Sequence, residues 1–281
     1  DCHSVCRRSA GDSVGEQLSR VKKAIRLALS DVSGRSVTVF PDDIFIVSYP
    51  KSGNTWLRFI IGSLRWKDGI DFTNLEARVP DIYRNTEKSL LALPRPRLLK
   101  SHEYFDPRYK RTIYVVRDPR DVLVSYYYHH LKFKLFKEDT AISAFAADFL
   151  EGRANDLFGS WGDHVGSWLG ARGERDDFLL IRYEDLSREP LQTVQRMAAF
   201  LDINEPGLVE RAVENASFDR MRELERQQGD QWKPLQNTRK DIAFIREGGV
   251  GKWREQLPRD VVQSLERQWG KLMKQLGYTL E

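Results

Sequence analysis

Short apolar runs alternate with longer amphipathic segments along most of this chain. The runs at 44–47, 98–100, 112–116 and 178–182 have the length and composition of buried strands. Apolar residues recur at helical spacing near 16–30, 55–66, 118–133, 140–152, 161–172, 187–202, 206–214, 218–226 and 258–276. Residues 67–97 and 227–251 are loop-rich and show weak periodicity. The pattern therefore predicts strands that are followed by helices.

Strands that alternate with helices indicate an α/β fold, in which a mostly parallel central sheet is flanked by helices. No internal repeat or linker of biased composition divides the sequence, so a single domain is expected. We predict an N-terminal tail and helix over 1–35 and the domain over 36–281. Ligands of such sheets bind beyond the carboxyl ends of the strands, so the residues that follow each strand are the candidates for function.

The overall charge is close to balance. The chain has 281 residues, and its 45 Lys and Arg exceed its 41 Asp and Glu by a formal +4. Hydrophobic residues make up 41% and aromatic residues 11%, which is typical of a globular protein and not of a disordered one. So small an excess does not suggest a general nucleic-acid binder. An anionic partner would have to be held by locally clustered Lys and Arg.

The two cysteines, Cys2 and Cys6, are too few for a disulfide framework and lack the partners of a zinc site. A reducing, cytoplasmic setting is therefore expected. No apolar stretch approaches the roughly 18 residues of a membrane span, so no membrane partner is expected. The first residues lack the apolar region of a signal peptide. Because the chain begins with Asp, a processed or trimmed N-terminus stays open.

The segment YPKSGNTW, residues 49–56, joins the first strand to a helix. Such a loop can hold a phosphate, because successive backbone N–H groups and the helix N-terminus point at the anion. Gly53 allows close approach of the backbone, and Lys51 supplies a positive charge. The loop is not GxxxxGK[ST], which disfavours a standard nucleotide triphosphatase. An ordinary turn with an exposed lysine is the alternative.

Two further segments carry cations beside small residues. In RDPRDVLVS, Arg117 ends a strand and Ser125 lies in the next helix, so both could hold one phosphate. The alternative is a surface ion pair of Arg117 with Asp118 or Asp121. In REGGVGKW, residues 246–253, three glycines could expose N–H groups to an anion, although a flexible surface loop is the simpler interpretation.

Taken in order, these three segments resemble those of the cytosolic-type sulfotransferase family. That family has a YPKSGTTW-like loop, an R-to-S segment before a tyrosine-rich helix, and a late RKGxxGxW segment. PRLLKSH also looks like the family's PRLLKTH, which carries the catalytic histidine, and IRYEDL looks like a further family segment. The resemblance covers roughly residues 40–277 and, as an ordered combination, is highly specific.

The resemblance implies that the sulfuryl donor is 3′-phosphoadenosine 5′-phosphosulfate (PAPS) and the product 3′-phosphoadenosine 5′-phosphate (PAP). The P-loop-like residues implied to hold the 5′-phosphosulfate are Lys51, Ser52, Gly53, Asn54 and Thr55. Those implied at the 3′-phosphate are Arg117, Ser125, Arg246 and Gly248. Those implied to line the adenine are Trp56, Tyr183 and Phe218.

The resemblance further implies an in-line displacement at sulfur, with a small-molecule hydroxyl or amine as the acceptor. His102 would be the catalytic base, since a neutral imidazole can take a proton near physiological pH. Lys51 would stabilise the charge that grows on the bridging oxygen, aided by Lys100. No metal is implied. The other histidines are expected to be tail (His3), packing or surface groups (His129 and His130), or structural (His164).

The sequence departs from the family at a few positions. Glu247 replaces a Lys, Asn54 replaces a Thr, and Ala216 stands where a hydroxyl is frequent. The Asn54 amide can still donate a hydrogen bond. The family's short C-terminal dimerisation signature is not found after Trp253, which leaves the oligomeric state open.

The identity of the acceptor stays open. Residues 67–97 and 227–245 and the segment after Tyr127 are expected to form its side of the site. The aromatic residues expected there are Phe72, Tyr83, Tyr104, Phe133, Phe136 and Trp232.

Two other function classes are compatible with a phosphate-binding α/β fold. A P-loop small-molecule kinase would need a Mg²⁺ site and a GK[ST] loop, and neither is evident in the sequence. A nucleotide-binding protein without catalysis would not need Lys51 and His102 together.

Overall fold

Four parallel strands form the central sheet. In the computed structural model, which describes residues 33–155, 157–246 and 248–281, the strands are β1 (Ile44–Ser48), β2 (Leu98–Ser101), β3 (Arg111–Val116) and β4 (Phe178–Arg182). Their order in the sheet is β2-β1-β3-β4. In register, Val47 lies opposite Ser101 on one side and Tyr114 on the other. The predicted α/β class and all four predicted strands are confirmed.

Helices cover both faces of this sheet. They are α1 (Asn54–Arg65), α2 (Leu75–Arg78), α3 (Glu87–Leu91), α4 (Pro119–Lys132), α5 (Ile142–Leu150), α6 (Trp161–Arg172), α7 (Tyr183–Arg188), α8 (Pro190–Phe200), α9 (Leu208–Asn215), α10 (Phe218–Gln228), α11 (Trp253–Gln256) and α12 (Arg259–Gln275). Of the helices in the described ranges, none combines the length and the apolar character that a bilayer crossing requires.

The strands are buried on both faces because their side chains alternate between two apolar clusters. Phe45 and Val47 belong to the cluster that α4, α5, α6 and α12 cover. Ile44 and Ile46 belong to the cluster that α1, α8 and α9 cover. Each fully buried side chain of this size contributes about 1.5–3 kcal/mol. The near-continuous apolar sequence of β1 reflects this two-sided burial.

Two sequence predictions about helices need correction. The helix expected over 187–202 is two helices, α7 and α8, because Pro190 cannot continue the preceding helix and starts a new one. The loop-rich region 67–97 contains α2 and α3, which are too short to show periodicity. The helix expected near 16–30, both cysteines, His3 and Glu247 lie outside the described residues.

Candidate active site

A cavity of about 990 Å³ lies beyond the carboxyl ends of the strands, where ligands of open α/β sheets bind. Every predicted site residue except Ser52 lines it. These residues are Lys51, Gly53, Asn54, Thr55, Trp56, Lys100, His102, Arg117, Ser125, Tyr183, Phe218, Arg246 and Gly248. The volume is at the upper end of that of small-molecule sites.

The loop between β1 and α1 has the backbone of an anion cradle. Lys51 has φ 68° and Gly53 has φ 101°, so the chain turns through the left-handed region at two positions. A Cβ at Gly53 would lie 2.6 Å from the Tyr183 ring, so this position requires glycine. The first N–H groups of α1 have no partner within the helix, and no N-cap side chain accepts from them. Ser52 is fully buried, and its Oγ has no hydrogen-bond partner among the described residues.

Lys51 is a partly buried cation that forms no ion pair with any of the described residues. Its Nζ lies 4.7 Å from the centre of the Phe244 ring. Burial, reinforced by the nearby Arg117 guanidinium, lowers the pKa of Lys51 to about 8, and Glu225 opposes this shift. An anion at the loop would supply the missing negative charge.

The side chain of Asn54 is turned away from the cradle. Its Nδ2 donates to the Ile46 carbonyl oxygen at 3.2 Å and to Ser48 Oγ at 3.2 Å. These bonds tie the start of α1 to β1. The side-chain amide of Asn54, which was expected to donate to a ligand, therefore donates within the protein. Only the backbone N–H of Asn54 remains to bind an anion.

Arg117 faces the cavity and does not form the ion pair considered as its alternative. Its guanidinium lies 4.2 Å from the centre of the Tyr183 ring and donates to the Gly249 carbonyl oxygen at 2.9 Å. Its Nε is buried and has no partner within the described ranges. Asp118 instead pairs with Arg120.

The glycine run is held against the rest of the site. Asp121 accepts hydrogen bonds from the N–H groups of Gly251 at 2.7 Å and Trp253 at 3.1 Å. Tyr183 donates through its hydroxyl to the Gly248 carbonyl oxygen at 3.0 Å. The run is therefore a fixed wall of the cavity and not a free surface loop. Trp253 is a buried core residue.

Three aromatic rings line the same end of the cavity. Trp56 and Tyr183 have ring centres 5.2 Å apart, and the Trp56 indole N–H donates to the Ala216 carbonyl oxygen at 2.8 Å. A Cβ at Gly248 would lie 2.5 Å from the Phe218 ring, so glycine brings the backbone directly over this ring. Flat faces of this kind suit a planar base.

Arg246 lies with its guanidinium 4.0 Å from the centre of the Tyr128 ring on α4. Ser125, three residues before Tyr128, lines the cavity from the same helix. These contacts bring the 246–253 segment and α4 together at one end of the cavity.

The geometry of His102 defines its tautomer. His102 follows β2, and its Nδ1 lies 2.7 Å from the carbonyl oxygen of Ser48, which ends the neighbouring strand β1. Because a carbonyl oxygen can only accept a hydrogen bond, Nδ1 carries the proton and donates it. The neutral imidazole therefore has its lone pair on Nε2, the nitrogen that can accept a proton.

The surroundings of His102 keep it neutral. Burial, followed by the charge of Lys100, lowers the pKa of His102 well below 6.5. His164 supports the backbone here, because its Nε2 donates to the His102 carbonyl oxygen at 2.9 Å while its Nδ1 accepts from the Tyr114 hydroxyl at 2.9 Å. His164 is thus a structural group, in agreement with its expected role.

Lys100 has a partner that the sequence analysis missed. Its Nζ donates to Asp81 at 2.7 Å, and both side chains are buried. Burial lowers the pKa of Lys100, and the Asp81 carboxylate opposes the shift. The only sequence signal was an acidic residue within a loop-rich region. Lys100 is therefore a compensated cation, in contrast to Lys51.

The acceptor side predicted from the sequence is correct in part. Tyr83, Phe133 and Trp232 line the cavity. Phe72 is instead a core residue against Phe59 and Trp232. Tyr104 packs beside His164, and Phe136 packs within a cluster of rings around α4, so neither is a lining residue. These errors arise because aromatic composition does not distinguish a cavity wall from the core beneath it.

His129 was expected to be a packing or surface group. Its ring does pack on Phe133, with ring centres 4.2 Å apart, but it also lines the cavity. Burial lowers the pKa of His129 well below 6.5, so it is a second neutral imidazole at the site.

Comparisons with known proteins show what the chain is similar to in sequence and in fold. A family model described as the sulfotransferase domain matches residues 41–277. Rat sulfotransferase 1E1 is 30% identical to this chain, covering 83% of it and 84% of that protein. Mouse sulfotransferase 2A1 is 33% identical, covering 82% and 83% respectively. The structure of retinol dehydratase in complex with androsterone and the inactive cofactor PAP has a TM-score of 0.73 at 20% identity, covering 91% of this chain and 87% of that one.

Proposed function

Because the chain belongs to the sulfotransferase domain family, we propose that it transfers a sulfuryl group from PAPS to a hydroxyl or amine of a small-molecule acceptor. The family match confirms the predicted class of enzyme, a sulfotransferase. One observation carries the proposal. Lys51, which has no ion-pair partner among the described residues, and the proton-accepting Nε2 of His102 belong to the same cavity.

The residues present fit the donor nucleotide. Arg117 lines the cavity, and its buried Nε has no partner in the described part of the chain, so an oxygen of a phosphate would satisfy it. Lys51, Ser52, Gly53, Asn54 and Thr55 would hold the 5′-phosphosulfate. Arg117, Ser125, Arg246 and Gly248 would hold the 3′-phosphate. Trp56, Tyr183 and Phe218 would line the adenine.

The bound donor supplies a sulfuryl group, whose transfer breaks the bond from sulfur to the bridging oxygen, forms a bond from sulfur to the acceptor atom, and leaves PAP. His102 Nε2 accepts the proton that the acceptor loses. Lys51 and the N–H groups of the loop stabilise negative charge on the bridging oxygen. Lys100 keeps its ion pair with Asp81, so its contribution is to orient the residues near His102.

We also propose that residues 36–281 form the sulfotransferase domain and that 1–35 form a tail and helix. The cytoplasm is the proposed location, which rests on the sparse cysteines Cys2 and Cys6.

A transfer assay tests the proposed function against its two alternatives. The protein is incubated with PAPS, or with ATP and Mg²⁺, and with a panel of phenols, alcohols and amines, and the products are identified by mass spectrometry. We expect sulfated products from PAPS only, at the same rate when a chelator replaces Mg²⁺. Phosphorylated products from ATP would favour a kinase. Binding of PAP without transfer to any acceptor would favour a non-catalytic nucleotide-binding protein.

A further inference from the structure

The segment 80–84 forms one wall of the cavity beside β2. Lys100 donates through its backbone N–H to the Pro80 carbonyl oxygen at 2.8 Å, and Ile82 donates to the Lys100 carbonyl oxygen at 3.2 Å. Asp81 therefore lies opposite Lys100 in a parallel bridge. Because the two segments run parallel, Tyr83 and His102, each two residues beyond this bridge, lie at the same height along them. Arg84 follows Tyr83 and also lines the cavity.

A partly buried ion pair anchors this wall. The Glu76 carboxylate accepts from the Asp81 backbone N–H at 3.0 Å and from Asn85 Nδ2 at 3.1 Å. Glu76 also pairs at 2.9 Å with Arg58, whose side chain is buried. The position of the 80–84 segment is thus determined before any acceptor binds.

The wall carries one positive charge in excess. A single carboxylate, Asp81, serves two cations: Lys100 Nζ at 2.7 Å and Arg84 Nε at 3.4 Å. The terminal nitrogens of Arg84 donate no hydrogen bond to any of the residues described, the ion pair with Asp81 is long at 3.4 Å, and the Arg84 side chain is 45% exposed. A guanidinium with free terminal nitrogens presents a donor fork that fits a carboxylate.

Aromatic surface connects this cation to the reacting centre. The Phe158 ring lies 5.1 Å from the Tyr83 ring and 5.5 Å from the His102 ring, centre to centre. The Tyr83 hydroxyl is buried and has no partner within the described ranges, which leaves a second donor on the same wall. An acceptor could place its hydroxyl at His102, its apolar body along Phe158, and a charged group at the rim.

We propose that the acceptor carries an anionic group, such as a carboxylate, in addition to the hydroxyl that is sulfated, and that Arg84 binds this anion. This inference rests on the proposed function. The reaction is unchanged: sulfur bonds to the hydroxyl oxygen, the hydroxyl proton moves to His102 Nε2, PAP leaves, and the carboxylate does not react. An acceptor with an ammonium group is disfavoured, because Asp81 is already shared by two cations.

Matched acceptor pairs test this proposal. Hydroxy acids, such as 4-hydroxyphenylacetate and larger hydroxy acids, are compared with their methyl esters by kcat/KM at saturating PAPS. We expect wild type to have a higher kcat/KM for the acid than for its methyl ester. Arg84→Gln should reduce the acid-to-ester ratio of kcat/KM by about 10-fold, while kcat/KM for the esters stays within a factor of two of wild type. Arg84→Lys should restore part of the preference. Arg267→Gln, the same change of charge on the exposed face of α12, should leave the ratio unaltered.

The failure of this proposal differs from that of the proposed function. Transfer to esters at least as fast as to acids, or an unchanged ratio in Arg84→Gln, would overturn the role of Arg84 while sulfuryl transfer stands. No transfer to either member of any pair would contradict the proposed function, and the present proposal with it.

Discussion

Replacement of His102 by alanine is expected to lower kcat for sulfuryl transfer by about 10²–10⁴-fold, the usual contribution of a positioned general base. The effect should fall on kcat, because the proton is transferred in the chemical step. The Nδ1–H of His102 donates to the Ser48 carbonyl oxygen, so the unprotonated Nε2 is the nitrogen that accepts this proton. The affinity for PAP should change by less than about twofold, since none of the proposed nucleotide contacts involves His102. Single-turnover transfer and PAP titration measure the two quantities.

A second variant separates loss of the base from loss of structure. His102→Asn places its amide Nδ2 at the level of the imidazole Nδ1, so it can still donate to the Ser48 carbonyl oxygen, but it cannot accept a proton at neutral pH. It should therefore be as slow as His102→Ala and as stable as wild type. In wild type, the pKa of His102 lies well below 6.5, so the base remains unprotonated through neutral pH. Transfer by either variant at a rate within about threefold of wild type would contradict the assignment of His102 as the base.

Replacement of Lys51 by methionine is expected to lower kcat by about 10²–10³-fold, because it removes the charge that stabilises the leaving phosphate. The same cation gives a pH dependence to PAP binding. Burial lowers the pKa of Lys51 to about 8 in the free protein, so the binding form is present below pH 8 and is lost as the pH rises through that value. The phosphates of PAP are already ionised above about pH 7, since their second pKa is near 6.

Calorimetric titrations of PAP between about pH 7 and 9.5 test this expectation. The affinity of wild type should fall by up to tenfold per unit above pH 8, as it must when a single required proton is lost. Lys51→Arg keeps its charge throughout and should show no fall, and Lys51→Met should bind weakly at every pH. If the affinity of wild type for PAP does not change up to pH 9.5, the charge of Lys51 does not contribute to binding of the nucleotide.

The parts of the site that lie in contiguous segments could be predicted from the sequence. The loop 49–56 is one strand-to-helix turn, so its small residues and its lysine necessarily lie together. Likewise, the strand at 112–116 places Arg117 at the same sheet edge as Lys51, because parallel strands end on one side. These predictions required only local patterns and one rule of topology.

The acceptor wall could not be predicted, because it depends on contacts between distant segments. The bridge between Asp81 and Lys100 joins residues 19 apart, across a region without periodicity. Nothing local distinguishes Asp81 from the other acidic residues there, or Tyr83 at the cavity from Phe72 in the core. The amide of Asn54 was similarly assigned to the ligand, because only the structure shows that it bonds back to β1.

A crystal structure of the protein with PAP and an acceptor phenol tests the central claim most directly. The claim predicts the 5′-phosphate at Lys51 and the loop N–H groups, the 3′-phosphate at Arg117 and Ser125, and the phenol oxygen about 2.6–3.2 Å from His102 Nε2. A nucleotide bound outside this cavity or in the reverse orientation, or a phenol oxygen beyond reach of His102, would contradict it.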